Sequence, residues 1–155
     1  MVLEFDYNDN HPWPDSADGL GPSLVLVAPE SLADPDDGIN WRPSTGDNGN
    51  PGVTDRIPFN GPLTGLLDYA LPNAAAQPFF TNHEGELAIA FTQLLGTDDA
   101  VVTPESSSNL DSWEPIPSID FVERRANANV SETFIYRIPQ SSPYYLRLRV
   151  DQRAP

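Results

Sequence analysis

Hydrophobic positions along this chain alternate in some stretches and run together in others, and one segment alone carries a helical spacing. Val2 to Tyr7 sets Val, Glu and Asp against Leu, Phe and Tyr, which predicts a short strand. Asn8 to Gly21 is a loop rich in Pro, Gly, Asp and Asn. Ser23 to Val27 is a strand, apolar enough to be covered on both faces. From Ala28 to Arg56 turn formers dominate, broken by Ile39-Asn40-Trp41, and a second punctuated stretch follows at Ile57 to Pro62. Thr64 to Leu71 predicts the single helix, with Leu67 and Leu71 on one face, Thr64 as a cap and Pro72 as a stop. Beyond a spacer at Ala74–Pro78, strands are predicted at Glu86–Leu94, Ala100–Thr103, Ser118–Arg124, Glu132–Ile138 and Tyr144–Val150. Strands at this spacing, separated by turn signals, predict an antiparallel β-sandwich.

The pattern divides the chain into a first part at 1–56, a linker at 57–63 and a second part at 64–155. The expected core of the second part is Leu87, Ile89, Phe91, Phe134, Tyr136, Leu146 and Leu148, with Trp113 nearby. The first part carries two convincing strands, and a two-stranded unit is marginal in water. Read as it begins at Met1, it is expected to be a truncated domain with an open strand edge. Leu3, Phe5, Leu24 and Leu26 should then be more exposed than their hydrophobicity warrants, with few contacts beyond about residue 64. A strand-donating partner could pair with such an edge.

Composition supports an all-β reading. Seventeen prolines and ten glycines favour loops and strands over helices, and 39% hydrophobic content suffices for a modest core. Twenty-three acidic side chains stand against eight arginines and no lysine, a net charge of −15 that repels nucleic acid and anionic lipid. The chain has no cysteine, which removes disulfides and thiolate chemistry. MVLEFDYNDN is not a signal peptide, and no apolar run approaches the ~20 residues of a membrane span.

Little in the sequence points to catalysis. His11 and His83 lie in no metal-binding spacing, Ser106-Ser107-Ser108 lacks a nucleophile elbow, and no carboxylate pair stands out, so no enzymatic role is expected. Asp15, Asp18, Asp34, Asp36 and Asp37 are candidate calcium ligands, since calcium takes six to eight oxygens and aspartate-rich loops supply them. The competing reading makes them turn formers that bond their own backbone, and the spacing in Asp34-Pro35-Asp36-Asp37-Gly38 does not fit an EF-hand. No other cofactor is expected. Trp13 and Trp41 are candidate ligand platforms if exposed, and core residues if not.

Tyr7-Asn8, Trp13-Pro14, Ala17-Asp18-Gly19-Leu20-Gly21-Pro22-Ser23-Leu24, Asn40-Trp41 and Gly49-Asn50-Pro51-Gly52 occur in an order that resembles the end of a bacterial lamin-tail domain. Asn50 stands where that family has Thr. The resemblance covers residues 1 to about 55 and implies an immunoglobulin-like sandwich whose upstream strands are not in this sequence. The second part is similar to the C-terminal β-module of large extracellular proteins of planctomycete and verrucomicrobial bacteria. Its marks are Leu66-Leu67-Asp68-Tyr69-Ala70-Leu71, the run from Glu105 to Trp113, and the closing Tyr144 to Val150. The fold expected is therefore all-β: an immunoglobulin-like sandwich remnant, then a small antiparallel β-sandwich with one short helix. The two resemblances imply a secreted or cell-surface multidomain bacterial protein in which this chain serves in adhesion, spacing or display, with the parent's upstream domains or extracellular polysaccharide as partners. A calcium-dependent carbohydrate-binding module, and the accessory region of an extracellular enzyme with its catalytic domain elsewhere, are the alternatives.

Overall fold

The computed structural model describes residues 4–31, 33–73, 78–128, 130–138 and 145–153, with the backbone alone for Ile119. Its strands lie in three antiparallel sheets, and they give an all-β chain with one short helix. A hairpin of β1 (Pro22–Leu26) and β2 (Trp41–Asp47) comes first. After α1 (Leu66–Ala70) come β3 (Phe79–His83), β4 (Glu86–Leu94), β5 (Ala100–Ser107), β6 (Glu114–Pro115), β7 (Phe121–Asn127), β8 (Ser131–Arg137) and β9 (Tyr145–Gln152). One sheet runs β3-β4-β8-β7 and the other β6-β5-β9. Among the described residues no helix is long and apolar enough to cross a membrane.

β4 lies between β3 and β8, so both its edges are hydrogen-bonded, and packing on its two faces leaves Ala88, Ile89, Ala90 and Phe91 all buried. Phe91 meets Leu66, Ala70 and Leu71 of the helical segment and Ala100 of β5, with Phe134, Tyr136, Leu148 and Val150 packed around them. Alternation explains the arrangement. In β9, Leu146, Leu148 and Val150 turn inward while Tyr145, Arg147 and Arg149 face out. On the other face of the four-stranded sheet, Ala88, Ala90 and Ile135 form a second cluster with Val122.

Several expectations need correcting. Residues 4–7 of the predicted strand Val2–Tyr7 belong to no sheet. Backbone N–H of Asp6 donates to Asp36 Oδ1, and Phe5 stacks on Trp41 at 4.5 Å between ring centroids. β2 occupies a stretch read as turns; Pro43 and Gly46 are tolerated because a strand of a two-stranded sheet has a free edge. β3 went unpredicted. The helix is a single 3-10 turn at Leu63–Gly65 followed by α1, and Thr64 does not cap it. Its buried residues are Leu66 and Ala70, while Leu67 is exposed. Leu87 is 55% exposed, because it pairs with Asn82 at the hairpin end of the sheet. Trp113 is half-buried on the outer face, under the Arg147 guanidinium at 4.1 Å from the ring centre.

Phe5, Leu24 and Leu26 are half-buried; Leu3 and Tyr144 lie outside the described residues. Gly19 and Gly21 have φ of 77° and 115°, so the predicted turn into β1 does use backbone that other residues resist. Although the hairpin's own strands are short, the region around it is tied to residues well beyond 64. Ile57 N–H donates to the Gly96 carbonyl, and buried side chains make the other links.

Candidate functional site

The links are arginines. Arg42, the second residue of β2, points away from solvent and is 5% exposed. Its Nε and Nη2 hold both oxygens of Asp98, at 2.6 and 2.7 Å, and its Nη1 donates to Asp55 Oδ2 at 3.0 Å and to the Pro43 carbonyl. Asp98 sits in the β4–β5 turn, whose Thr97, Asp98 and Asp99 are all buried. Asp99 takes Arg56 from the first part, and its Oδ2 accepts from Phe59 N–H at 2.6 Å. A fork-to-carboxylate geometry of this kind is the strong form of charged hydrogen bond.

A second clamp mirrors the first. Arg124 of β7 grips Glu132 of β8 through Nε at 2.8 Å and Nη2 at 2.5 Å, both side chains almost fully buried. Its remaining Nη1 reaches across to the Pro12 carbonyl at 3.2 Å and the Gly38 carbonyl at 3.5 Å. Those carbonyls belong to the loops that carry Trp13 and the turn before β2. Gly38 is required there: a Cβ would stand 2.8 Å from the Trp13 backbone and ring.

The electrostatics follow from burial. Burial alone would lower Arg42, but its bonds to Asp98 and Asp55 outweigh this and raise it. Burial likewise pushes Asp55 upward, yet the hydroxyl and N–H of Thr45, together with Arg42, hold it below its ordinary value. For Glu132 burial dominates and raises the carboxyl, with Arg124 pulling the other way. On the outer sheet face the Arg125 guanidinium lowers Glu123, which also faces His83 Nδ1 at 3.2 Å.

Between the clamps, partly open to solvent, is a cavity of about 150 Å³. Its apolar wall includes Trp41, Phe91, Phe134 and Tyr136, and its polar wall is Arg42, Gln93, Asp98, Arg124, Glu132 and Arg153. Apolar walls with a few convergent polar groups are the usual make-up of a ligand site.

The residues singled out in the sequence are placed otherwise. Asp34 Oδ1 accepts from Asp36 N–H and Asp37 Oδ1 from Ile39 N–H, so these two carboxylates hold turns, while Asp36 Oδ1 accepts from Asp6 N–H and ties that residue to the loop. Asp15 faces His11 at 3.7 Å. Among the described residues no group of three or more His, Asp or Glu side chains could hold a metal ion, so Asp15, Asp18, Asp34, Asp36 and Asp37 are not brought together as a calcium site. Trp13 and Trp41 are core residues rather than exposed platforms: at 2% and 6% exposure they stack on each other and on Phe5, and Trp41 also reaches the wall of the cavity. The two clamps escaped the sequence reading. The one signal for them is that eight arginines stand against 23 carboxylates, so each arginine has several carboxylates to choose from.

The architecture is thus an all-β sandwich with a hairpin region fastened to it. Searches of protein-family models, curated proteins and solved structures give no match to this chain.

Proposed function

We propose that the chain is a non-enzymatic β-module of a secreted or cell-surface multidomain bacterial protein, serving adhesion, spacing or display. The observation that carries this reading is the use of the buried charges. Arg42, Asp55, Asp98, Arg124 and Glu132 are bonded to one another and to backbone carbonyls. They hold one region to the other and are committed to those bonds, whereas an acid–base catalyst needs a group poised to give or take a proton. The likeness of residues 1 to about 55 to a lamin-tail domain, and of the second part to extracellular C-terminal modules, supplies the setting. The acidic surface, at net charge −15, suits a soluble spacer that avoids anionic polymers.

Antibodies raised against the purified chain test the setting. They should label intact, unpermeabilised cells of the source organism or its culture medium. Label confined to permeabilised cells would overturn the reading.

A further inference from the structure

Every arginine of this chain lies among the described residues, and all but one have a carboxylate of those residues within ion-pair distance. The exception is Arg153. Its backbone N–H donates to the Asp99 carbonyl and its Nε to the Asp98 carbonyl at 2.9 Å, which pins the stem of the side chain at the cavity wall. Its two Nη groups have no protein partner among the described residues. In a molecule with 23 acidic side chains, an arginine left without one beside a cavity needs an explanation.

The neighbouring charges do not provide it. Asp98 is engaged by both sides of the Arg42 fork, and Asp55 grips Arg42 from outside the lining. Glu132 is engaged by both sides of Arg124. Three guanidinium groups and three carboxylates balance in formal charge, but all three carboxylates are ion-paired with Arg42 and Arg124. What is left over among the described residues is hydrogen-bonding capacity, the two Nη groups of Arg153. The same cavity is lined by Phe91, Phe134 and Tyr136, with Phe91 and Phe134 stacked at 5.3 Å between ring centroids.

We propose that this cavity binds a small organic monocarboxylate. The carboxylate would sit on the Nη fork of Arg153, the geometry in which a guanidinium best recognises that group. The hydrocarbon would lie against Phe91, Phe134 and Tyr136. Size limits the ligand: about 150 Å³ is room for roughly five waters and falls below the volume of ordinary drug-sized pockets, so a single substituted ring or a short branched chain is the scale that fits. This goes beyond the spacer reading and does not depend on it, since a display module and a carrier of small acids can be the same β-sandwich.

The test is a calorimetric titration of the whole chain with benzoate, run beside benzamide, its neutral counterpart, and beside sodium chloride at matched ionic strength. Amide chemical shifts locate the site. Benzoate should bind saturably and shift Arg153 and Tyr136, benzamide should bind at least tenfold more weakly, and chloride should not reproduce the shifts. Arg153→Ala should weaken benzoate by about ten- to hundredfold. Arg153→Lys, which keeps the charge and loses the fork, should fall between. If Arg153→Ala does not fold, Arg153→Gln makes the same comparison, and the benzoate–benzamide contrast in the unaltered chain stands alone. The proposal is overturned by equal binding of the two probes, by shifts that chloride reproduces, by benzoate shifts located elsewhere, or by no saturable benzoate binding.

Discussion

The hairpin region and the sandwich both bury large aromatic rings, but they hold them by different means. In the sandwich, Phe91 is enclosed by strands on both sides and by α1, so regular alternation does the work. In the hairpin region, Trp13 and Trp41 are buried by Phe5, by each other and by loops whose turns are fixed by aspartate side chains. A two-stranded sheet cannot enclose such rings by itself. What it lacks in strands is made up by arginine clamps to the larger body. The difference shows how a loop-rich unit can be ordered: a few buried, multiply bonded cations can substitute for a missing layer of sheet.

The largest effect should come from cutting one clamp. Arg124→Ala leaves Glu132 buried without its partner and removes the donor from the Pro12 and Gly38 carbonyls. A loss of about 3–5 kcal/mol is expected in denaturant unfolding. The paired change Arg124→Met with Glu132→Leu should cost the sandwich much less, since a buried ion pair can be replaced by apolar groups of similar size. The hairpin region should still loosen, because the two carbonyls remain without a donor. Equal losses for the single and paired variants would contradict this division.

Truncating rings compares the regions directly. Phe5→Ala removes a stacking partner of Trp41 and should cost about 2 kcal/mol while altering tryptophan emission. Leu87→Ala, at an exposed position in a strand of the sandwich, should change stability by less than about half a kcal/mol. A larger cost at Leu87 than at Phe5 would reverse the account of what each region buries.

Both differences bear on how much could be read in advance. β4, β8 and β9 were legible because Ile89 and Phe91, Phe134 and Tyr136, and Leu146 and Leu148 repeat at the period of a strand. β2 was not, since Pro43 and Gly46 are ordinarily turn signals and are admitted here by a free edge. In β3, the adjacent Phe79 and Phe80 followed by Thr81-Asn82-His83 give no clean alternation. The helix was legible but not its buried face, because five residues are too few to fix a phase. The clamps were least legible of all. Arg42 and Asp98 lie 56 residues apart, and spacing along the chain carries no information about such a contact.

Smaller effects follow from the carboxylates. Asp55 has a folded value below the ordinary 3.8, so its contribution is fully present above that value and is lost as the pH falls through the folded one. Glu123, lowered by Arg125, acts in the same direction. Glu132 has the opposite sign: its raised value means that acid relieves a cost of keeping it charged. Stability should therefore fall in acid below about pH 4. Asp55→Asn should flatten that fall while lowering stability at neutral pH. An unchanged acid slope in this variant would remove Asp55 from the account.

The smallest effect concerns calcium. Asp34 and Asp37 are used by turns and Asp36 by the Asp6 N–H, so the melting temperature should be the same in millimolar calcium as in chelator. A ligand that binds the folded chain must raise it by mass action. A rise in calcium that is lost in Asp34→Asn would show that these loops rearrange around an ion.

The central claim is that the arginine clamps make the hairpin region and the sandwich unfold together. Trp13 and Trp41 report on the first and Trp113 on the second, so a Trp113→Phe chain carries tryptophan in the hairpin region alone. Its urea unfolding should be followed in parallel by tryptophan emission and by far-ultraviolet circular dichroism, which is dominated by the sandwich strands. The account predicts coincident transitions with one midpoint, and an emission transition that moves to lower urea when Arg42→Ala is added. An emission transition that already precedes the loss of strand signal with both clamps intact would contradict it.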